Sequence, residues 1–202
     1  MDYEGIKRGA QFKYIDRPRP EPLADSYKYE LPGYELDKYL GLGLIPPVVE
    51  RTINGSSGSL QIFIEDAFPE TVRKTQDLKL GDPKAFERAM ADLKVFINLV
   101  SDTCGSERDR DILIQRKTER IFAVDFSRAF DPRNEAVPGC EILTCSRSLY
   151  GKLLHWDNDK VKALVAPYLN GEETQALQAR VGSIFRTIKK QIETRGESAV
   201  LF

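Results

Sequence analysis

The sequence predicts an α+β fold of two unequal lobes. Two observations carry this. Strand-type runs and a hairpin signal crowd the first 65 residues, and helical periodicity dominates the rest. Residues 65–81 read as the link between the halves, and a cleft at such a junction is a natural ligand site.

The elements follow in order. "GAQFKYI" reads as a short strand, and the proline-rich, charged "DRPRPEPLADS" as an exposed loop. In "SYKYELPGYELDKYLGL", Tyr34, Leu36, Tyr39 and Leu40 share a helical face, while Pro32 and Gly33 predict a late start or a kink. "PVVERTI" and "SLQIFIE" alternate as strands around the turn "NGSSG". "DPKAFERAMADLKVFINLV" predicts a helix capped by Asp82, with Pro83 in its first turn and a stripe of Phe86, Met90, Leu93 and Ile97. "ILIQ" and "RIFAV" form two short strands around "RKTE". "SRSLYGKLLHW" and "NDKVKALVAPYL" predict short helices. The last helix carries Leu177, Val181, Ile184, Ile188 and Ile192 at helical spacing and ends at Gly196. The expected division is a lobe over 1–66 and a helical lobe over 67–202.

Composition narrows the function. Of the 202 residues, 41% are hydrophobic, enough for a core, and the 30% charged residues nearly cancel to a net charge of −1. That argues against a general nucleic-acid or anionic-membrane binder, both of which need a basic surface. "LGLGLIPPVV" is too short and too proline-broken to span a bilayer. The start has no apolar core, so no signal peptide is expected. Three cysteines, Cys104, Cys140 and Cys145, form no C-x-x-C pair; with no leader, the odd number predicts reduced thiols and a cytoplasmic protein. The single histidine, His155, has no soft ligand near it in sequence, which argues against zinc.

One run raises a chemical question. "IFAVDFSRAF" ends an apolar strand on Asp125. A buried carboxylate is costly unless it is paired or bound to metal. Lys13 follows a short apolar run, Glu30 opens the first helix, and Asp102, Glu107, Asp109 and Asp111 fill the loop after the long helix. This set suits phosphoryl transfer. Such chemistry needs a lysine on the phosphates, an acid to position it, oxygen ligands for Mg²⁺ and a group to orient the acceptor. Asp111 and Asp125 flank the hairpin "ILIQRKTERIFAV", whose antiparallel strands bring its ends together, so they form the expected metal pair. Plainer readings stand beside these: Asp125 as a turn cap, "SERDRD" as a solvated loop with internal ion pairs, and "NGSSGS" as an ordinary turn.

The segments "DSYKYELPGYELDKYLGLGLIPPVVER", "GSLQIFIE", "ERDRDILI", "IFAVDFSRAF" and "RGESAVLF" resemble a family of bacterial kinase-like proteins. That family is similar in fold to the phosphatidylinositol 3- and 4-kinases, the HipA-type kinases and the secretory-pathway casein kinases. The resemblance runs from about Gly9 to Phe202. It implies a protein-kinase-like two-lobed fold with a helical C-lobe, ATP and Mg²⁺ as cofactors, and a phosphate acceptor that could be protein, lipid or small molecule. It further implies that Lys13 contacts phosphate, that Glu30 pairs with Lys13, and that the backbone from Phe63 to Glu65 holds adenine. Asp125 matches the metal-binding Asp of the Asp-Phe-Gly motif, here Asp-Phe-Ser.

Two departures stand out. The relatives carry Asn-x-Asp-Arg-x-x-Gly-Asn where this chain has "SDTCGSERDRDILI". Matching the arginine to Arg108 puts Glu107 at the catalytic position and Asp111 at the metal-binding Asn. An ungapped count from "ILI" puts Ser106 at the catalytic position instead. Asp109 is the other candidate for orienting the acceptor. The relatives also carry two strands and a phosphate-covering loop ahead of the lysine. Only twelve residues precede Lys13 here, so the N-lobe is expected to be truncated. The resulting expectation is an ATP- and Mg-dependent phosphotransferase, with a pseudokinase scaffold as the alternative.

Overall fold

The computed structural model describes residues 2–3, 6–21 and 24–202. Two short strands, β1 (Asp2–Tyr3) and β2 (Ile6–Lys7), pair with each other. The principal N-terminal sheet is built from β3 (Ala10–Lys13), then β6 (Val48–Ile53) and β7 (Ser56–Ile62), in the order β3-β7-β6 and antiparallel throughout. Between β3 and β6 lie β4 (Asp16–Arg17) paired with β5 (Asp25–Ser26), and helix α1 (Glu30–Leu40).

The hairpin turn is tighter than the sequence suggested. Asn54 and Gly55 alone make it, with φ of 51° and 80°, and Ser56 already pairs with Ile53. Positive φ at both central residues is the turn that matches strand twist, and Asn-Gly is its preferred pair. Gly58 lies inside β7 because β3 passes close to it: a Cβ there would stand 2.3 Å from the Lys13 carbonyl oxygen. The glycine therefore sets how near the lysine strand can sit.

Helix α1 corrects an expectation. It begins at Glu30 and runs through Pro32 and Gly33 without a late start. Pro32 falls within the first turn, where backbone N–H groups have no intrahelical acceptor, so the missing donor costs nothing. The helix ends at Gly41 in the left-handed conformation, φ 72°.

The connecting residues 65–81 are more ordered than a link. They form β8 (Ala67–Pro69) and α2 (Glu70–Thr75). β8 joins β9 (Ile112–Gln115) and β10 (Ile121–Ala123) in a second sheet, β10-β9-β8. Pro69 lacks a donor and sits on the edge strand, where proline is tolerated.

The C-terminal half is helical: α3 (Pro83–Val100), α4 (Arg147–Leu154), α5 (Asn158–Val165), α6 (Gly171–Arg195) and α7 (Glu197–Val200). Asp82 caps α3 through the Ala85 amide at 2.9 Å, as its sequence predicts. Leu93, Phe96, Ile97 and Val100 of α3 pack in the main core with Leu177, Ile184 and Ile188 of α6. Asn170 and Glu173 form a capping box at the start of α6. No helix among the described residues is long and apolar enough to cross a membrane.

The expectation of three reduced thiols is corrected. Cys104 and Cys140 form a disulfide, while Cys145 is free and buried. A sequence separation of 36 hid the pairing from sequence. It is created where the strap around Cys140 packs on α3, with Asn98 donating to the Cys140 carbonyl at 2.7 Å. The cytoplasmic expectation loses its support in thiol chemistry.

Candidate functional site

Three remote segments deliver charged groups to one cleft. β3 ends on Lys13, α1 begins on Glu30, and the chain leaving β10 turns at Asp125. The Lys13 ammonium donates to Glu30 Oε1 at 2.8 Å and to Asp125 Oδ1 at 2.6 Å. The second oxygen of Glu30 accepts from the Phe126 amide at 3.1 Å, so the acid fixes both the lysine and the residue after Asp125. Asp111 is brought in by the β9–β10 hairpin: Ala123 pairs with Ile112, and the Val124 amide donates to the Asp111 carbonyl at 2.9 Å. Lys13, Glu30, Asp111 and Asp125 line one cavity of about 130 Å³, with Gln11, Ser59, Gln61 and Val124 completing its wall.

Asp125 adopts φ 60°, a left-handed conformation that Asp and Asn reach more readily than other non-glycine residues. Arg108 holds it there. Its Nη1 donates to the Asp125 carbonyl and to Asp102 Oδ2, each at 2.9 Å, and its guanidinium lies 4.1 Å from the Phe126 ring centre. The turn-cap reading of Asp125 also holds, since Ser127 Oγ donates to Asp125 Oδ1 at 2.8 Å. Capping and cleft-lining coexist because a carboxylate has several acceptor positions.

The electrostatics are uneven. Burial works against the Lys13 charge, but Glu30 and Asp125 outweigh it and hold its pKa above the ordinary lysine value. Burial pushes Glu30 up, opposed only in part by Lys13. Burial also opposes the charge of Asp125, but Lys13 and hydrogen bonds from Ser127 hold it below the usual carboxylate range. Asp111 is pushed up, first by burial and then by the like charge of Asp125. Two carboxylates thus repel across a cleft that faces a single lysine.

That donor set bears on the expected metal. Among the described residues no group of three or more His, Cys, Asp or Glu is arranged to hold an ion. Mg²⁺ commonly takes only one or two carboxylates and completes its shell with water and substrate phosphates. Asp111 and Asp125 fit that use and do not fit an all-protein cage.

The other candidates lie elsewhere. Glu107 is exposed and does not line the cleft. Asp109 is buried, but its carboxylate accepts from Lys74 Nζ at 2.7 Å, beside a different cavity against α3. Ser106 is exposed. Phe63 is exposed, and Glu65 lies 3.8 Å from Arg8; neither lines the cleft. Sequence reading missed Asp102 as the buried partner of Arg108, and missed Gln11, Ser59 and Gln61 as wall residues. The strand alternation that places Gln11 with Lys13, and Ser59 with Gln61, was the available signal.

No protein-family model matches the chain, and no curated protein sequence matches it. Solved structures do. A hydra Fam20 solved with sugar aligns with a TM-score of 0.69 at 14% identity, over 95% of this chain and 80% of that one. A Golgi casein kinase aligns at 0.62 and 15% identity, over 95% of this chain and 69% of that one. The Helicobacter pylori proinflammatory kinase CtkA aligns at 0.60 and 11% identity, over 98% and 90%. The fold is the two-lobed kinase-like fold, with a strand-rich N-terminal region and a helical C-terminal region. At these identities the likeness speaks for architecture and leaves chemistry to the residues.

Proposed function

We propose that the chain is an ATP- and Mg²⁺-dependent phosphotransferase of the kinase-like type. One observation carries the reading: Lys13 bridges Glu30 and Asp125 inside a cleft that also holds Asp111. In this reading Glu30 orients Lys13, which leaves Asp125 to bind phosphate oxygens. Asp111 and Asp125 hold the ion. When bound, Mg²⁺ neutralises phosphate charge and aligns the group to be transferred. The acceptor is left open among protein, lipid and small molecule. Glu107 and Asp109 stay candidates for orienting it, on motif position alone.

A second reading has its own observation. The carboxylates lining the cleft are Glu30, Asp111 and Asp125, each with another task, while Glu107 and Asp109 lie outside it. That favours a pseudokinase that binds nucleotide without transferring phosphate. Calorimetry with Mg²⁺-ATP, followed by autophosphorylation with γ-labelled ATP, separates the two. Binding with transfer that is lost in Asp125→Asn supports the enzyme. Binding without transfer supports the scaffold. No binding at all removes both.

A further inference from the structure

The roles proposed above leave one wall residue unused. Gln61 on β7 is 9% exposed, and its side-chain Nε2 has no hydrogen-bond partner among the described residues. Other buried side chains also have unpartnered nitrogens, but Gln61 is the one among them that lines this cleft. A buried donor is costly to leave unmet, so such groups in folded proteins find an acceptor in protein, water or ligand.

Its position narrows the choice. Gln61 pairs across the sheet with Gln11, and Ser59 with Lys13. Residues two apart on a strand share a face and lie about 7 Å apart. The amide therefore stands one step along β7 from the lysine, toward residues 63–65 and away from the strand's start. A ligand anchored at Lys13 by its phosphates would meet Gln61 with the next part of its structure.

We propose that Gln61 is a specificity-determining residue: its amide hydrogen-bonds a heteroatom of the ligand's nucleoside portion, with Gln11 beside it. The inference rests on the nucleotide-binding reading and adds which part of the ligand is read. An amide offers a donor and an acceptor, so it selects a polar edge where an aliphatic side chain would select only shape.

Calorimetry with Mg²⁺-ATP and with Mg²⁺-pyrophosphate tests this in the wild type, Gln61→Leu and Gln61→Met. The second variant guards against a packing fault peculiar to leucine. Affinity for ATP is expected to fall roughly tenfold in both, one hydrogen bond's worth, with pyrophosphate binding unchanged. Unchanged ATP affinity would overturn the assignment and leave the amide to water. Equal weakening of both ligands would overturn it too, by placing Gln61 on the phosphates. A wild type that binds neither ligand would sink the nucleotide reading itself, and this inference with it.

Discussion

Arg108 and Asp125 are joined through a side chain and a backbone: the guanidinium donates 2.9 Å to the Asp125 carbonyl, leaving the Asp125 carboxylate free to meet Lys13. The same nitrogen holds Asp102. The loop after α3 and the turn after β10 are therefore fixed against each other before any ligand arrives. Such pre-positioning is what phosphoryl transfer asks of a protein.

Replacing Asp125 separates charge from backbone conformation. Asn retains the tolerance for positive φ, whereas Ala does not. Asp125→Asn is expected to fold, with a thermal midpoint lowered only by loss of the ion pair to Lys13, and to lose Mg²⁺-dependent nucleotide affinity at least tenfold. Asp125→Ala should lose the same affinity and unfold earlier. Calorimetry beside thermal denaturation checks both; an Asn variant that binds Mg²⁺-ATP normally would refute the metal role.

Lys13→Met leaves Glu30 buried without its cation. Removing one partner of a buried pair is expected to cost about 3 kcal/mol. Lys13→Met with Glu30→Leu should recover part of that loss, since the buried carboxylate is gone and only the more exposed Asp125 is left without its cation. Urea unfolding of the two single variants and the double variant provides the measurement. Additive losses would show that the pair is not coupled.

The titrations set a pH profile for stability. Asp125 is depressed in the fold, so its contribution is present above the unfolded carboxylate value and is lost as pH falls through its folded pKa. Lys13 is raised, so its contribution is complete below the ordinary lysine value, about 10.4, and is lost as pH rises through its folded pKa. Glu30 is raised by burial and works the other way, favouring the fold when protonated. The urea midpoint should fall at strongly alkaline pH, and Lys13→Met should flatten that limb. An unchanged alkaline limb would show that Lys13 does not carry it.

The Cys104–Cys140 bond closes a loop with a sequence separation of 36. Reduction, or Cys140→Ser, is expected to lower stability by about 2–4 kcal/mol. Thiol titration of the unfolded chain should count one free group before reduction and three after it, Cys145 being the unpaired one. Three groups before reduction would mean that the bond does not form.

Much of the architecture was legible because it rests on local rules. α3 and α6 announced themselves by apolar spacing, α3 also by its cap at Asp82 and α6 by its end at Gly196, signals that act within one turn. The β9–β10 hairpin was equally readable, and with it the approach of Asp111 to Asp125. Pro32 misled because its effect depends on its position within the helix. β8 went unseen because three residues have no periodicity of their own and become a strand only by pairing with β9.

The linear chain determined the helices, the hairpins and the supply of acids and amines, because those follow from contacts among neighbours. Which charges share a cleft was decided only by folding. Lys13, Glu30 and Asp125 lie on separate elements, and nothing in its own loop shows that Asp109 turns away from the cleft to Lys74. The disulfide and the unmet amide of Gln61 belong to the same class. Each depends on long-range packing that sets distances and excludes water, and neither quantity is written in any local stretch of residues.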